Sequence, residues 1–261
     1  MATKKKVTRV GGDESIPTQQ RTEKTFVPTP ENKGKALQSR SIAGILWLLG
    51  ISAEIGAILV LLKSAKPIET NTWIWLIALI VVDLVLVIIG SQIWKKANRL
   101  DPASEKEPVK FFIQNQLGVI ISVIAFLPLV ILIFTNKDLD GKQKGVIGGI
   151  AAIALIIAGV TSADFNPPSV EQYTQQTNRV EELTGVNNVY WTKSGTKYHL
   201  YNDCSHINTN RTDEIFEGTV AQARELKNIT ELCKTCENRA EKTNGSNVTP
   251  ATTPESLPVE E

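Results

Sequence analysis

The chain of 261 residues carries 28 Lys and Arg against 27 Asp and Glu, a formal net charge of +1, and is 42% hydrophobic. Such averages suit an ordinary soluble protein of one or two domains, but the way the residues are distributed excludes that reading. Residues 1–41 hold nine Lys/Arg and four Asp/Glu, residues 162–261 hold nine and fifteen, and the long apolar runs all lie between these flanks.

The basic head, residues 1–41, has few large apolar side chains to offset chain entropy and reads as a disordered tail. The first apolar run starts only after this head and is too long for the core of a signal peptide, so no secretory signal is read. Neither flank concentrates enough positive charge over a folded region to argue for nucleic acid.

A helix needs roughly 20 apolar residues to cross the hydrocarbon core of a bilayer. Four segments are predicted to do so: 42–62, 73–94, 117–134 and 145–163. Trp73, Trp75 and Trp94 stand at the ends of the second, where an indole is half wet. The third contains Pro128, for which a kink and no break is expected, because neighbouring helices satisfy a freed carbonyl. The fourth is the shortest. Val146–Val160 spans only if Gly145 and Thr161–Ala163 are drawn in, and a re-entrant or interfacial segment is the alternative. Gly145-x-x-x-Gly149 and Gly148-x-x-x-Ala152 give it a small-residue surface that suits close packing inside the bundle or against a second copy, a possible route to a homo-oligomer.

Short loops allow orientation to be read from Lys/Arg bias. Lys33, Lys35, Arg40, Lys95, Lys96, Arg99, Lys106 and Lys110 fall on the side of the head. Lys63, Lys66, Lys137, Lys142 and Lys144 fall on the other. The bias places both termini in the cytoplasm and the protein in the cell membrane.

Two carboxyl groups lie near mid-span, Glu54 in the first segment and Asp83 in the second. A charge at that depth is costly, so such a group is paired, neutral or functional. Glu54 has the small residues Gly50 and Ala57 on its face. Asp83 has only Leu79, Ile80, Leu86 and Val87. A proton or cation site shared by the two is one reading, and a structural polar contact across the bundle is the other.

Pro167-Pro168 ends the membrane part. Residues 164–188 read as a linker, partly helical over Ser169–Leu183, with Val170, Tyr173, Val180 and Leu183 on one face, spacing the C-terminal region from the bilayer.

All three cysteines and both histidines lie between His199 and Cys236. Val189–Thr192 and Lys197–Leu200 read as a hairpin about Ser194-Gly195. Thr219 with Gln222 reads as a capping box for a helix to about Lys227. Cys233-x-x-Cys236 then places two thiolates on one side of a metal. Zinc takes four N/S ligands in tetrahedral geometry. Cys204 is the third, and the fourth is His199, preferred, or His206. Three cysteines cannot all pair within one chain, so a reduced metal site fits better than disulfides and suits the cytoplasm. Four protein ligands make the site closed and structural, which argues against an enzyme. Asn210, Asn228, Asn244 and Asn247 head Asn-x-Ser/Thr triplets, which would count only in a luminal tail.

Thr192, Gly195, Tyr198, His199, Cys204, Cys233 and Cys236 together resemble the small bacterial zinc domain related to the metal-binding module of the Ada DNA-repair protein. The resemblance covers the stretch from about 189 to 236. It departs in ELKNITELCKTC, which lacks the usual glycine before the knuckle. It implies zinc bound by His199, Cys204, Cys233 and Cys236 in a compact fold, and no activity by itself.

The sequence therefore predicts a mainly α protein: a four-helix transmembrane bundle with a small α+β zinc-binding domain over 189–239 and a disordered tail over 240–261. The leading functional expectation is a non-enzymatic, multi-pass membrane protein whose structural Zn2+ module binds a protein partner or regulates. One rival is a small transporter or channel using Glu54 and Asp83, with the module as sensor. A second is a membrane-tethered nucleic-acid binder.

Overall fold

A computed structural model describes residues 6–10, 25–63 and 70–245. They form two units, one over Thr25–Gln172 and one over residues 6–10 with 173–245.

The first unit is built on four long helices, α1 (Pro30–Lys63), α2 (Thr70–Leu100), α3 (Pro108–Thr135) and α4 (Gly141–Ser162), the last with a π-helical turn at Lys144–Gly148. All four are long and apolar enough to cross a membrane. Ile45, Leu48, Ile55, Val82, Ile124, Ile131, Ile153 and Ile156 point outward and are exposed, while Asp83, Ser91, Asn98, Ser122 and Ser162 are fully buried. Apolar outside and polar inside is the arrangement that lipid, and not water, favours.

Every helix starts before its predicted apolar segment, and the first three also end after it. Helix α1 begins at Pro30, a residue suited to the first helical turn, where Asn32 N–H donates to Thr29 Oγ1 at 3.2 Å and Lys35 pairs with Glu31 at 2.6 Å. Its extension is fastened by Arg40, which donates to Asp101 Oδ2 at 2.8 Å and to the Asp101 carbonyl at 2.9 Å, with its guanidinium over the Trp94 ring. These contacts correct the expectation of an unstructured head through residue 41, and they explain why its last part is helical. Residues 1–5 and 11–24 lie outside the described residues, as does Lys66.

Helix α4 is continuous for 22 residues, long enough and apolar enough to cross a membrane. Asp140 and Gln143 form a reciprocal capping box at its start. At its end Lys95 donates to the Thr161 and Ala163 carbonyls at 2.8 and 2.7 Å, and Gln92 also reaches Thr161. A cation on the last carbonyls stabilises a helix C-terminus. Gly148 of its small-residue surface is used within the chain, because a Cβ there would meet the Phe134 ring at 2.8 Å. Helix α3 passes Pro128 without a break.

The second unit contains β1 (Lys6–Arg9), β2 (Val189–Thr192), β3 (Lys197–Tyr198), β4 (Glu214–Gly218), α6 (Val220–Lys227), β5 (Glu231–Leu232) and α7 (Lys234–Gly245). Helix α5 (Val170–Thr184) enters it. One sheet has the order β1-β4-β2, with β1 parallel and β2 antiparallel to β4. Strands β3 and β5 pair in parallel. The expected hairpin is present as a bridge between Tyr190 and His199, whose backbones exchange hydrogen bonds of 2.7 Å. The Thr219–Gln222 capping box is present, and Asn228 ends α6 with φ 54°, in the left-handed region that asparagine tolerates.

Three boundaries depart from expectation. Strand β1 comes from the basic head: Lys6 pairs with Glu214, Arg9 with Glu217, and Thr8 donates to Glu214. Helix α5 is more than a spacer, since Val180 and Leu183 sit in the same core as Trp191, Tyr198, Ile215, Val220 and Ile229. Helix α7 continues to Gly245 and buries Ala240, whereas the tail from residue 246 lies outside the described residues.

Candidate metal centre

Four short pieces of chain converge on one point. Strand β3 leads into His199. A tight turn, in which Cys204 N–H donates to the Tyr201 carbonyl and Ile207 and Asn208 N–H donate back to the Cys204 carbonyl, holds Cys204. Strand β5 pairs Leu232 with Tyr198, and Cys233 N–H donates to the Tyr198 carbonyl at 2.9 Å, which sets Cys233 beside His199. Helix α7 starts at the next residue and carries Cys236 in its first turn.

The ligand atoms of His199, Cys204, Cys233 and Cys236 all lie within 4.8 Å of one another, and all four residues are buried. His199 Nδ1 is 3.7 Å from Cys236 Sγ. Tetrahedral bonds of about 2.3 Å space their donors at roughly 3.8 Å, so the cluster has the size of one metal ion. His206 stands outside it. Its side chain is exposed, its ring centroid is 6.4 Å from that of His199, and its Nε2 meets Thr235 Oγ1 at 3.0 Å. Of the two histidines, the structure brings His199 to the three sulfurs.

The electrostatics suit ligation. Burial, with the charge of His206 second, pushes His199 down to about 4, so its imidazole is neutral near pH 7, the form that binds metals. Burial pushes the Cys236 thiol up to about 12. At Cys233 burial is the largest single influence and acts upward, but the backbone N–H groups of Cys236 and Thr235, together with the Cys204 and Cys236 side chains, outweigh it and the thiol lies below its ordinary value. Donors at the first turn of α7, with the helix dipole behind them, favour a thiolate there. Three sulfurs packed this closely would repel one another as thiolates, so a cation at their centre is what would let Cys236 ionise beside the others.

Outer contacts hold the loops in place. Arg239 of α7 stacks over the Tyr201 ring at 4.2 Å and pairs with Asp203 at 2.8 Å, bracing the Cys204 turn. Lys197 pairs with Glu231 across β3 and β5 at 2.8 Å. Arg179 of α5 bonds Glu237 and Glu241 of α7. Sequence reasoning passes over Arg179, Arg239 and Asp203, because surface charges far apart in the chain carry no pattern that pairs them.

The two intramembrane carboxyls are elsewhere. Glu54 is buried on α1 and accepts a hydrogen bond from Leu129 N–H, next to Pro128 on α3, at 3.0 Å. Asp83 on α2 faces Gly50, one turn before Glu54, so closely that a Cβ at Gly50 would come within 2.7 Å of Asp83 Oδ1.

No protein-family model, no curated protein and no solved structure matches the chain.

Proposed function

We propose that the chain is a multi-pass membrane protein, not an enzyme, whose bundle holds a zinc-stabilised module at one membrane face, where the module binds a protein partner or regulates one. The observation that carries the reading is the ligand set of one buried imidazole and three buried sulfurs within 4.8 Å. Thiolates select zinc and other soft cations over magnesium or calcium. With four protein ligands the site is closed and serves folding, whereas catalytic zinc keeps a position for water. Similarity to the Ada-related zinc domain belongs to the same proposal and rests on the seven residues that carry the pattern.

The pairing of β1 from the head with β4 of the module supports a topology in which both stand on one side of the bilayer, as four crossings and not three would give. The excess of Lys/Arg assigned to that side, and thiols that stay reduced, support a cytoplasmic location.

Thiol labelling in intact cells tests the reading. A membrane-impermeant maleimide is expected to leave Cys204, Cys233 and Cys236 unmodified. A permeant maleimide is expected to label all three only after chelation. Labelling by the impermeant reagent in chelator-treated intact cells would place the module outside the cytoplasm.

A further inference from the structure

The bundle interior is layered. On α3, Asn115, Ser122 and Leu129 are spaced by seven residues, two turns or about 10 Å apart on one face. Each heads a polar layer. At the first, Asn98 of α2 donates to Asn115 Oδ1 at 3.3 Å and to the Gln114 carbonyl at 2.8 Å. At the second, Ser122 Oγ donates to Ser162 Oγ at 3.1 Å and Ser162 Oγ to Ser91 Oγ at 2.9 Å, joining α3, α4 and α2. Gly118 makes this junction possible, since a Cβ there would strike Ser91 Oγ at 2.9 Å. At the third, Leu129 N–H meets Glu54. Asp83, across from Gly50, lies two turns from Ser91 along α2.

Asp83 is the anomaly. It is 0% exposed, and neither carboxyl oxygen has a hydrogen-bond partner. Asn98 Oδ1, at the far end of the seam, is likewise buried without a partner. Among the described residues of the bundle no Lys, Arg or His is buried. The elements around the carboxyls offer Ala57, Ile80, Val87, Ala125, Leu129 and Ala154, and Glu54 is the one other titratable group that is buried among them. Two unpaired carboxylates at this depth would each bear an uncompensated desolvation cost, and their like charges would add to it.

We infer that Asp83 and Glu54 form a proton-binding site inside the bundle. On protonation an O–H bond of hydronium breaks, leaving water, as an O–H bond forms on a carboxylate oxygen of the pair, and release runs the same exchange in reverse. Buried apolar side chains bound the pair on both sides, Val87, Ala125 and Phe126 toward the serine junction and Ala57, Leu61, Leu76 and Ile80 away from it. The inference stands apart from the metal centre and does not depend on it.

The test is infrared spectroscopy of the full chain in lipid, with Asp83→Asn. Wild-type protein at neutral pH is expected to show the C=O band of an un-ionised carboxylic acid, absent in Asp83→Asn. In D2O the band shifts as the proton exchanges. If no acid band is lost in Asp83→Asn, or the band never shifts in D2O, the inference fails. Should Asp83→Asn misfold, the wild-type chain itself is treated with a lipophilic carbodiimide, which attacks un-ionised carboxyls in apolar surroundings. Modification of Asp83 or Glu54 that declines as pH rises supports the site. Absence of modification at every pH, or protection by sodium ions without any effect of pH, overturns it.

Discussion

Replacing Cys236 by serine in the full chain is expected to strip the zinc and unfold the C-terminal module while the membrane helices remain. Structural zinc in small domains contributes apparent binding free energies of roughly 10–16 kcal/mol near neutral pH. Losing one thiolate of four ligands is expected to weaken binding by about a thousandfold, on the order of 4 kcal/mol. The module has little to set against that loss, because β3 and β5 are two residues each and meet chiefly through the residues that lead into His199 and Cys233. Limited proteolysis reads the result: Lys193, Lys197 and Arg211 become cleavable in Cys236→Ser and in chelator-treated wild type alike. His206→Ala is the control. Its exposed ring contacts Thr235 and not the cluster, so zinc content and protease resistance should match wild type. A loss of zinc in His206→Ala equal to that in Cys236→Ser would transfer the fourth ligand to His206.

Trp191→Ala is expected to destabilise the same module without removing a ligand. Trp191 is 1% exposed and among the largest fully buried side chains. It stands on β2 opposite Phe216 of β4, with ring centroids 6.2 Å apart, and its edge fills the space a Cβ at Gly218 would need. Truncating a buried tryptophan costs about 3–5 kcal/mol, a large part of the roughly 5–15 kcal/mol that holds an ordinary domain. The variant should still bind zinc at saturating metal, because the ligands are untouched, but proteolysis in the module should be faster and zinc released at lower chelator concentration. Unchanged proteolysis would mean that the sheet is not part of the module's core. The pair of variants separates two contributions that act on one fold, metal ligation and apolar burial.

How far each feature is legible depends on the range of the interaction behind it. The four long apolar helices are readable because length and lack of charge are local properties. Their ends are not. Pro30–Arg40 looks like more of a basic head until Arg40 finds Asp101 and Trp94. Helix α4 looks too short because its first turn is polar, yet the Asp140–Gln143 box that starts it is itself a sequence motif, and weighing it extends the span. The residues of the candidate metal centre are readable because Cys and His have few other reasons to gather at these spacings. Choosing His199 over His206 needs the β3–β5 pairing, which turns one residue inward and leaves the other on the surface. Strand β1 is out of reach: KVTR has the composition of a solvated tail, and its partner lies some two hundred positions away. Glu54 is readable as an oddity, but its partner, a backbone N–H beside a proline on another helix, is not.

Metal analysis of the full chain, purified without chelator, tests the central claim most directly. The account predicts one zinc per chain, and release of that zinc by chelation together with the appearance of three reactive thiols, Cys204, Cys233 and Cys236. Protein that holds no metal, remains resistant to proteolysis in the module and exposes three free thiols from the start would contradict it.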